Sequence, residues 1–584
     1  AGGLLFVGQA GALNAVNKGI APWALVDTSV SGTGISFATS DGTATTGTGG
    51  LRALNATEYV TTLGAFNGTA NNVVLGGGGS LEGPLTVNSL TINSGGGVSS
   101  LPMQTLTLDS GGVLVTAVGS AISGPSVGTG SVFLTTLSNR DVIVQSPTGS
   151  ALTINAVITG TTGGITKAGA GTLELTRLNP FTGQTTVNEG TLKLSGGLNT
   201  LSAGGGALVV NSGGTLDLNG NVQLVGNLSS QGAGVNASVA GGTVTSSGAG
   251  GLLVSNANNV NFGGSLSGGN LAFARSGANT LNLLGANSYG GATLLNGGTT
   301  VLSDAGTISG TSAIDINYAA LTLSNTGLIN MNDRLNNAPI SLRGGTITYQ
   351  GRAQTASTET IGGVTVAQGL NTVTVTAGGT GVNAADLTIG SLAQSAAGGG
   401  VLNITGTNLG QAGSNVRLVV SGASAANVIS GGLVNNIIPW AVVNGTEFAS
   451  YVGYSSVGGV SAGGFGALNS AGYAGYDASV LPSTVSNPTL NIRAAATAGV
   501  LAGGQTVGSL NLVAVGATFT GAADVLNIAS GGLLKSGTAA SIGASVDSGR
   551  LTAGGVADTV ADTLYIYNNA NALTLNSRIV DNGG

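Results

Sequence analysis

The 584 residues carry only 6% charged and 41% hydrophobic side chains, with 107 Gly and a net charge of −6; this pairing of low charge with high apolar content excludes a disordered chain. Ten Pro without a Gly-X-Y period exclude collagen, and 15 Lys and Arg without a basic stripe exclude nucleic acid as a partner. With no Cys and no His, disulfides, thiolate and imidazole metal sites, Ser-His-Asp triads and Cys nucleophiles are all removed.

The chain begins at Ala1 without Met or a signal-peptide pattern and ends at Asp581-Asn582-Gly583-Gly584, short of a motif met earlier. These ends predict a processed or partial piece of something longer. No run of about 18 apolar residues occurs, so no helix is expected to span a membrane. Residues 8–18, with Ala12, Leu13, Ala15 and Val16, form the best helix candidate. Ile20-Ala21-Pro22-Trp23-Ala24 follows, and then the texture turns to short alternating runs. Leu85-Thr86-Val87-Asn88-Ser89-Leu90-Thr91-Ile92 closes on a Gly-rich turn, and Leu106-Thr107-Leu108 and Leu208-Val209-Val210 close on Gly111-Gly112 and Gly213-Gly214. Period-two alternation bounded by Gly, Asn, Ser and Asp predicts half-buried strands. Without crossover helices a doubly wound sheet is excluded, and among all-β architectures a solenoid grows to this length because each coil rests on its neighbours. We therefore expect a right-handed parallel β-solenoid with irregular loop excursions. At roughly 20–25 residues per coil and about 4.8 Å per strand, it would make about 23–29 coils and a rod of roughly 110–140 Å.

Two nested repeats support this. Lys167-Ala168-Gly169-Ala170-Gly171-Thr172-Leu173, with Asn179-Pro180-Phe181 and Gly190 beyond it, is echoed by Arg275-Ser276-Gly277-Ala278-Asn279-Thr280-Leu281, Asn287-Ser288-Tyr289 and Gly298. Leu173 to Leu281 and Phe181 to Tyr289 are both 108 apart. In the longer repeat, Pro22-Trp23-Ala24 returns as Pro439-Trp440-Ala441, 417 on, and Leu54-Asn55 with Tyr59 returns as Leu468-Asn469 with Tyr473, 414 on. Ser110-Gly111-Gly112 returns as Ser530-Gly531-Gly532, 420 on. The expected organisation is a first super-repeat at 1–417, with repeat motifs at 164–194 and 270–302, and the truncated start of a second at 418–584.

The segments at 164–194 and 270–302 resemble the autotransporter-associated β-strand repeat, whose pattern is Gly-Leu-x-Lys-x-Gly-x-Gly-Thr-Leu-x-Leu followed by Asn-x-Tyr/Phe-x-Gly. The second copy departs from it at Arg275, in place of Lys, and at Asn279, in place of Gly. Thr360-Ile361-Gly362 and the Pro-Trp-Ala segments look like the accompaniments of this repeat in very large surface proteins. The resemblance implies a bacterial extracellular or cell-surface protein and is nearly silent on activity.

No catalytic, cofactor or metal residues are expected. Asp558 with Asp562 and Glu174 with Glu189 are near pairs of acids, the residue type with which β-helical enzymes cleave polysaccharides, but 21 acids over this length produce such pairs by chance. The Gly-Gly-x-Gly-x-Asp Ca²⁺ nonapeptide is absent. Gly76-Gly77-Gly78-Gly79 lacks the Gly-Lys-Ser/Thr ending of a phosphate loop. The sequons at Asn55, Asn67 and Asn444 are the yield of an Asn- and Thr-rich chain. Trp23 and Trp440, with Tyr59 and Tyr473, are either core anchors or contacts to a neighbouring rod or ligand; Tyr451, Tyr454 and Tyr476 strengthen the second reading. Three roles follow: a self-associating or continuing fibre, an adhesin stalk binding glycans or cells, and a polysaccharide-degrading enzyme.

Overall fold

The structure is a computed structural model that describes every residue except 1–10, 31–33, 42–49, 65–69, 94–95, 124–132, 138–139, 161, 203–204, 236–239, 380–382, 398, 414, 422–431, 458–459, 483–485, 497, 501, 515, 555–562 and 583–584. It divides into two compact units, Ala1–Thr293 and Leu294–Gly584. In both, parallel strands stack in register, as a β-solenoid requires.

The first unit opens on a three-stranded antiparallel sheet, Ala21–Asp27, Ile35–Ser40 and Leu51–Ala53. Beyond it the chain winds. Thr105–Val115, Val142–Gln145, Ile165–Ala168, Thr185–Val187 and Leu208–Val210 form one parallel face. Ser120–Ser123, Ala151–Asn155, Thr172–Leu175, Gly190–Leu194, Gly214–Asp217 and Thr243–Thr245 form another. Alternation puts Leu152, Leu173, Leu192, Leu216 and Val244 in one buried column, each opposite the next. Every rung repeats its neighbour's hydrogen bonds, and each fully buried aliphatic side chain adds about 1.5–3 kcal/mol. Along this column the coil step varies from 19 residues, Leu173 to Leu192, to 28, Leu216 to Val244. The extra residues leave as loops between rungs without disturbing the register.

The second unit has the same plan. Ile314–Asn317, Ile340–Arg343 and the first half of Val364–Thr376 stack on one face. Ala320–Ser324, Thr346–Gln350, the second half of Val364–Thr376 and Gly400–Thr405 stack on a second, and Ala356–Ile361, Ala384–Ile389 and Val416–Val420 on a third. Then Ile438–Val443, Glu447–Val457 and Val460–Ala467 turn antiparallel, and parallel winding resumes through Asn487–Ala494 and Gln505–Leu512. Each Pro-Trp-Ala segment thus begins a run of three antiparallel strands, which form a separate sheet in the first unit and the end of a larger sheet in the second, a more regular excursion than the loops expected.

Of the helix expected over residues 8–18, residues 8–10 lie outside the described residues, and residues 11–18 are not helical. Residues 11–18 make turns, with Ala15 N–H donating to Ala12 O and Lys18 N–H to Ala15 O. Gly11 and Asn14 both take positive φ, 86° and 62°, which no α-helix accommodates. Among the described residues, those in a helical conformation are the 3₁₀ turn Ala56–Glu58 and the 3₁₀ residue Leu137.

Candidate functional site

The two antiparallel sheets pack alike. In the first, Ile20, Phe37, Leu54 and Leu114 form a buried cluster with Leu25 and Tyr59 against it; in the second, Ile437, Val442, Phe448, Leu468 and Leu534 do so with Tyr476 against them. Tyr476 therefore stands where Tyr59 stands, although the sequence register pointed to Tyr473. Tyr59 is hydrogen-bonded through its hydroxyl to Ser36 Oγ at 2.9 Å, and the Tyr476 hydroxyl accepts from Asn511 Nδ2 at 3.2 Å; burial pushes both phenols up. Tyr473 instead lies over Gly466, where a Cβ would sit 2.2 Å from its ring, and donates to Gly464 O at 3.0 Å.

Polar contacts beneath these sheets repeat too. Asn72 Nδ2 donates to Lys18 O at 2.8 Å and Ser89 Oγ to Asn72 Oδ1 at 2.7 Å; Asn491 Nδ2 donates to Asn435 O at 2.6 Å and Ser509 Oγ to Asn491 Oδ1 at 2.8 Å. Gly111 and Gly531 have φ of 80° and 76°, and a Cβ on either would meet a carbonyl of the next rung, Asp141 O at 2.2 Å or Thr563 O at 2.1 Å. The residues repeating at about 420 are therefore repeated structurally, down to buried hydrogen bonds.

The two Trp differ. Trp440 is 6% exposed and Trp23 is 61% exposed. Ile438–Val443 pairs on one side with Glu447–Val457 and on the other, in parallel, with Gly400–Thr405. Ala21–Asp27, among the described residues, is the end strand of its sheet. Trp440 is thus buried and Trp23 exposed.

The shorter motif closes turns. Lys167 is buried at the end of its strand and donates Nζ to Ala168 O, Gly169 O and Glu189 O; burial pulls its ammonium down to about 8. Asn179, 1% exposed, accepts Ile158 N–H on Oδ1 at 2.8 Å and donates Nδ2 to Arg177 O at 2.7 Å and Thr200 O at 3.0 Å. One amide thereby ties three successive coils. In the second copy Asn287 accepts Leu266 N–H at 2.8 Å and donates to Gly285 O at 2.8 Å. Arg275, in the Lys167 position, is likewise buried, and burial pulls its guanidinium down to about 10. Phe181 and Tyr289 are core side chains, and the Tyr289 ring lies 6.0 Å from that of Phe273. Sequence reasoning missed Lys535, which is buried and donates to Gly537 O and Ala570 O. Its signal was a strand-ending Lys-x-Gly, shared by Lys167-Ala168-Gly169 and Lys535-Ser536-Gly537.

The acidic candidates do not converge in what is described. Glu174 accepts from Ser195 Oγ at 2.6 Å and pairs with Lys193 at 3.3 Å, which gives it the setting of a solvated ion pair. Asp558 and Asp562 lie outside the described residues, as does Asn67. Gly76 and Gly77 turn the chain between Asn72–Leu75 and Gly78–Leu81, with no helix following. Asn444, at φ 50°, exchanges hydrogen bonds with Gly406, and Asn55 donates its N–H to Glu58 Oε2 at 2.8 Å. Tyr451 packs edge-on to Phe465, and Tyr454 donates to Asp386 and Ser461. One deeply buried charge cluster is new: the Arg334 guanidinium donates to Gly306 O, Ser324 O and Asn325 Oδ1, and the Arg334 main-chain N–H donates to Glu359 Oε1 at 2.8 Å. Burial pushes the Glu359 carboxyl up to about 8.

Residues 165–194 and 274–311 match the family model described as the passenger-associated-transport-repeat. No curated protein and no solved structure matches the chain.

Proposed function

We propose, from the premise that this chain carries copies of the passenger-associated-transport-repeat, that it is a structural stretch of the exported part of a large repetitive bacterial surface protein, extending as a fibre or sheath. One observation carries this reading: the residues that define the repeat are spent on stacking. Lys167 and Asn179 point inward and close turns between coils, as Asn287 does in the second copy. A motif that recruited a substrate would present such groups outward. The super-repeat division at 1–417 and 418–584, the right-handed winding and the extracellular location belong to the same reading. Electron microscopy of the purified chain and of tandem super-repeats tests it. Filaments that lengthen in proportion to the number of super-repeats are expected, and globules of unchanged length would overturn it.

An adhesin stalk is the second reading, favoured by the exposed side-chain ladders of Asn188 with Asn211 and Asn296 with Asn317. Such ladders offer regularly spaced amides to glycan hydroxyls. Binding to a panel of cell-surface glycans, lost when Asn188 and Asn211 become Ala, separates it from a purely structural role.

A further inference from the structure

Along the second unit, successive rungs turn the same corner. Asn317 lies opposite Arg343, and Arg343 opposite Gln368; Asn317 Nδ2 donates to Asn296 Oδ1 at 3.3 Å, so these side chains form one outward column. The residue after each opens the turn: Gly297, Tyr318, Gly344 and Gly369, with φ of 105°, 47°, 67° and 67°. Left-handed backbone suits Gly and strains a bulky residue. Tyr318 is thus an aromatic where its neighbours above and below are Gly. Among the described residues other than Gly with positive φ, most are Asn or Asp, and Tyr318 is the one aromatic.

That ring has a built floor. A Cβ on Gly344 would sit 2.8 Å from Tyr318 Cε1, 2.9 Å from Cδ1 and 3.2 Å from Cζ, and one on Gly369 would sit 3.8 Å from the hydroxyl. The ring therefore lies along the corner over two glycines, which leave room for it because they carry no side chain. Tyr318 nonetheless remains 67% exposed, so the face turned away from the glycines is open to solvent. Beside it run the amides of Asn296, Asn317 and Gln368 and the Arg343 guanidinium, about 4.8 Å apart from rung to rung. Arg343 Nε is paired with Asp315 Oδ2 at 3.1 Å, so the ladder offers hydrogen bonds while staying electrically neutral. Strain held at an exposed side chain, where Gly would be free of it, marks a side chain kept for contact.

We propose that Tyr318 and the adjoining ladder form a stacking platform for one ring of a neutral, β-linked glucose-type oligosaccharide. The flat C–H face of an all-equatorial pyranose covers the open ring, and its hydroxyls exchange hydrogen bonds with the amides of Asn317 and Gln368 and the guanidinium of Arg343. A ring fixed on a glycine floor loses little freedom on binding, which favours affinity. The neutral ladder selects an uncharged sugar over a phosphorylated or uronic one. The platform rests on the stalk reading and gives that reading a site in the second unit.

The test titrates the whole chain with a β-1,4-linked glucose hexasaccharide, with calorimetry and saturation-transfer NMR as readouts. Saturable binding tighter than about 10 mM is expected, with saturation reaching the sugar C–H protons. Tyr318→Gly should weaken binding at least about tenfold without lowering the denaturation midpoint, because Gly removes the left-handed strain. Tyr318→Phe keeps the ring and should bind within about threefold of the natural chain. Absence of saturable binding up to about 10 mM, or binding indifferent to Tyr318→Gly, overturns the platform. So does a clearly lowered midpoint in Tyr318→Gly, which would make the ring structural. Tyr318-dependent sedimentation as a dimer without sugar binding would give the ring to a second copy and overturn it too. Hexasaccharide binding lost in Tyr318→Gly but kept when Asn188 and Asn211 become Ala supports the platform; glycan binding lost only in that Asn pair overturns the platform and leaves the stalk reading standing.

Discussion

Replacing Asn179 by Ala removes a three-coil staple, and its cost can be worked from the contacts. Ile158 N–H loses its acceptor inside the fold, and an orphaned buried donor costs about 1–3 kcal/mol. Thr200 O keeps the bond it accepts from the Asn179 main-chain N–H at 3.0 Å, so its loss is small. The bond to Arg177 O adds about 0.5–1.5 kcal/mol, and the sum is about 2–4 kcal/mol. Asn179→Asp keeps the acceptor for Ile158 but turns a carboxylate toward two carbonyls. Below the carboxyl's own pKa it regains a donor, so its deficit relative to Asn179 narrows as pH falls. Because solenoid coils lean on nearest neighbours, the damage should stay local. Hydrogen exchange is the assay: the Ile158 amide should exchange about 30- to 1,000-fold faster in Asn179→Ala, while the Leu342 amide in the other unit is unchanged. An Ile158 amide as slow as before would refute the staple.

Gly111→Ala places a Cβ 2.2 Å from Asp141 O at φ 80°, whereas Gly119, at φ 73°, has nothing within 4 Å; chemical denaturation should show Gly119→Ala costing about 1–2 kcal/mol, as left-handed backbone alone does, and Gly111→Ala costing clearly more. Glu359 is raised from 4.5 to about 8 by burial, so its contribution to stability is complete below pH 4.5 and is lost as pH rises through about 8. Stability of the natural chain should fall by up to about 1.4 kcal/mol per pH unit across that window, and Glu359→Gln should flatten the curve. Trp440→Ala should cost about 3–5 kcal/mol in denaturant titration, and Trp23→Ala, at an exposed position, clearly less.

The winding was legible because alternation and turn residues report directly on strands, and stacking forces equivalents such as Leu152, Leu173 and Leu192 into one column. The repeat likewise announced that Trp23 and Trp440 are equivalent positions. Trp440 lies in a strand paired with residues about 40 upstream, a contact that no local pattern encodes. Residues 11–18 of the expected helix are turns because apolar spacing says nothing of φ, and Gly11 and Asn14 adopt left-handed values. Tyr59 was matched to Tyr473 by counting, yet packing selects Tyr476, since the turn after Asn469 absorbs the offset. Buried charges such as Lys167, Lys535 and Glu359 read as surface residues in sequence; their burial depends on carbonyls and amides presented by other parts of the fold.

In-register stacking is tested most directly by disulfide trapping, for which a chain without Cys is suited. Glu174 lies opposite Lys193 across adjacent rungs, and Thr153 lies opposite Glu174. Cys pairs at 174 with 193 and at 153 with 174 should oxidise rapidly within one chain, whereas pairs displaced by one residue, at 174 with 192, face opposite sides and should not. Equal trapping of aligned and displaced pairs, or none at either, would contradict the solenoid.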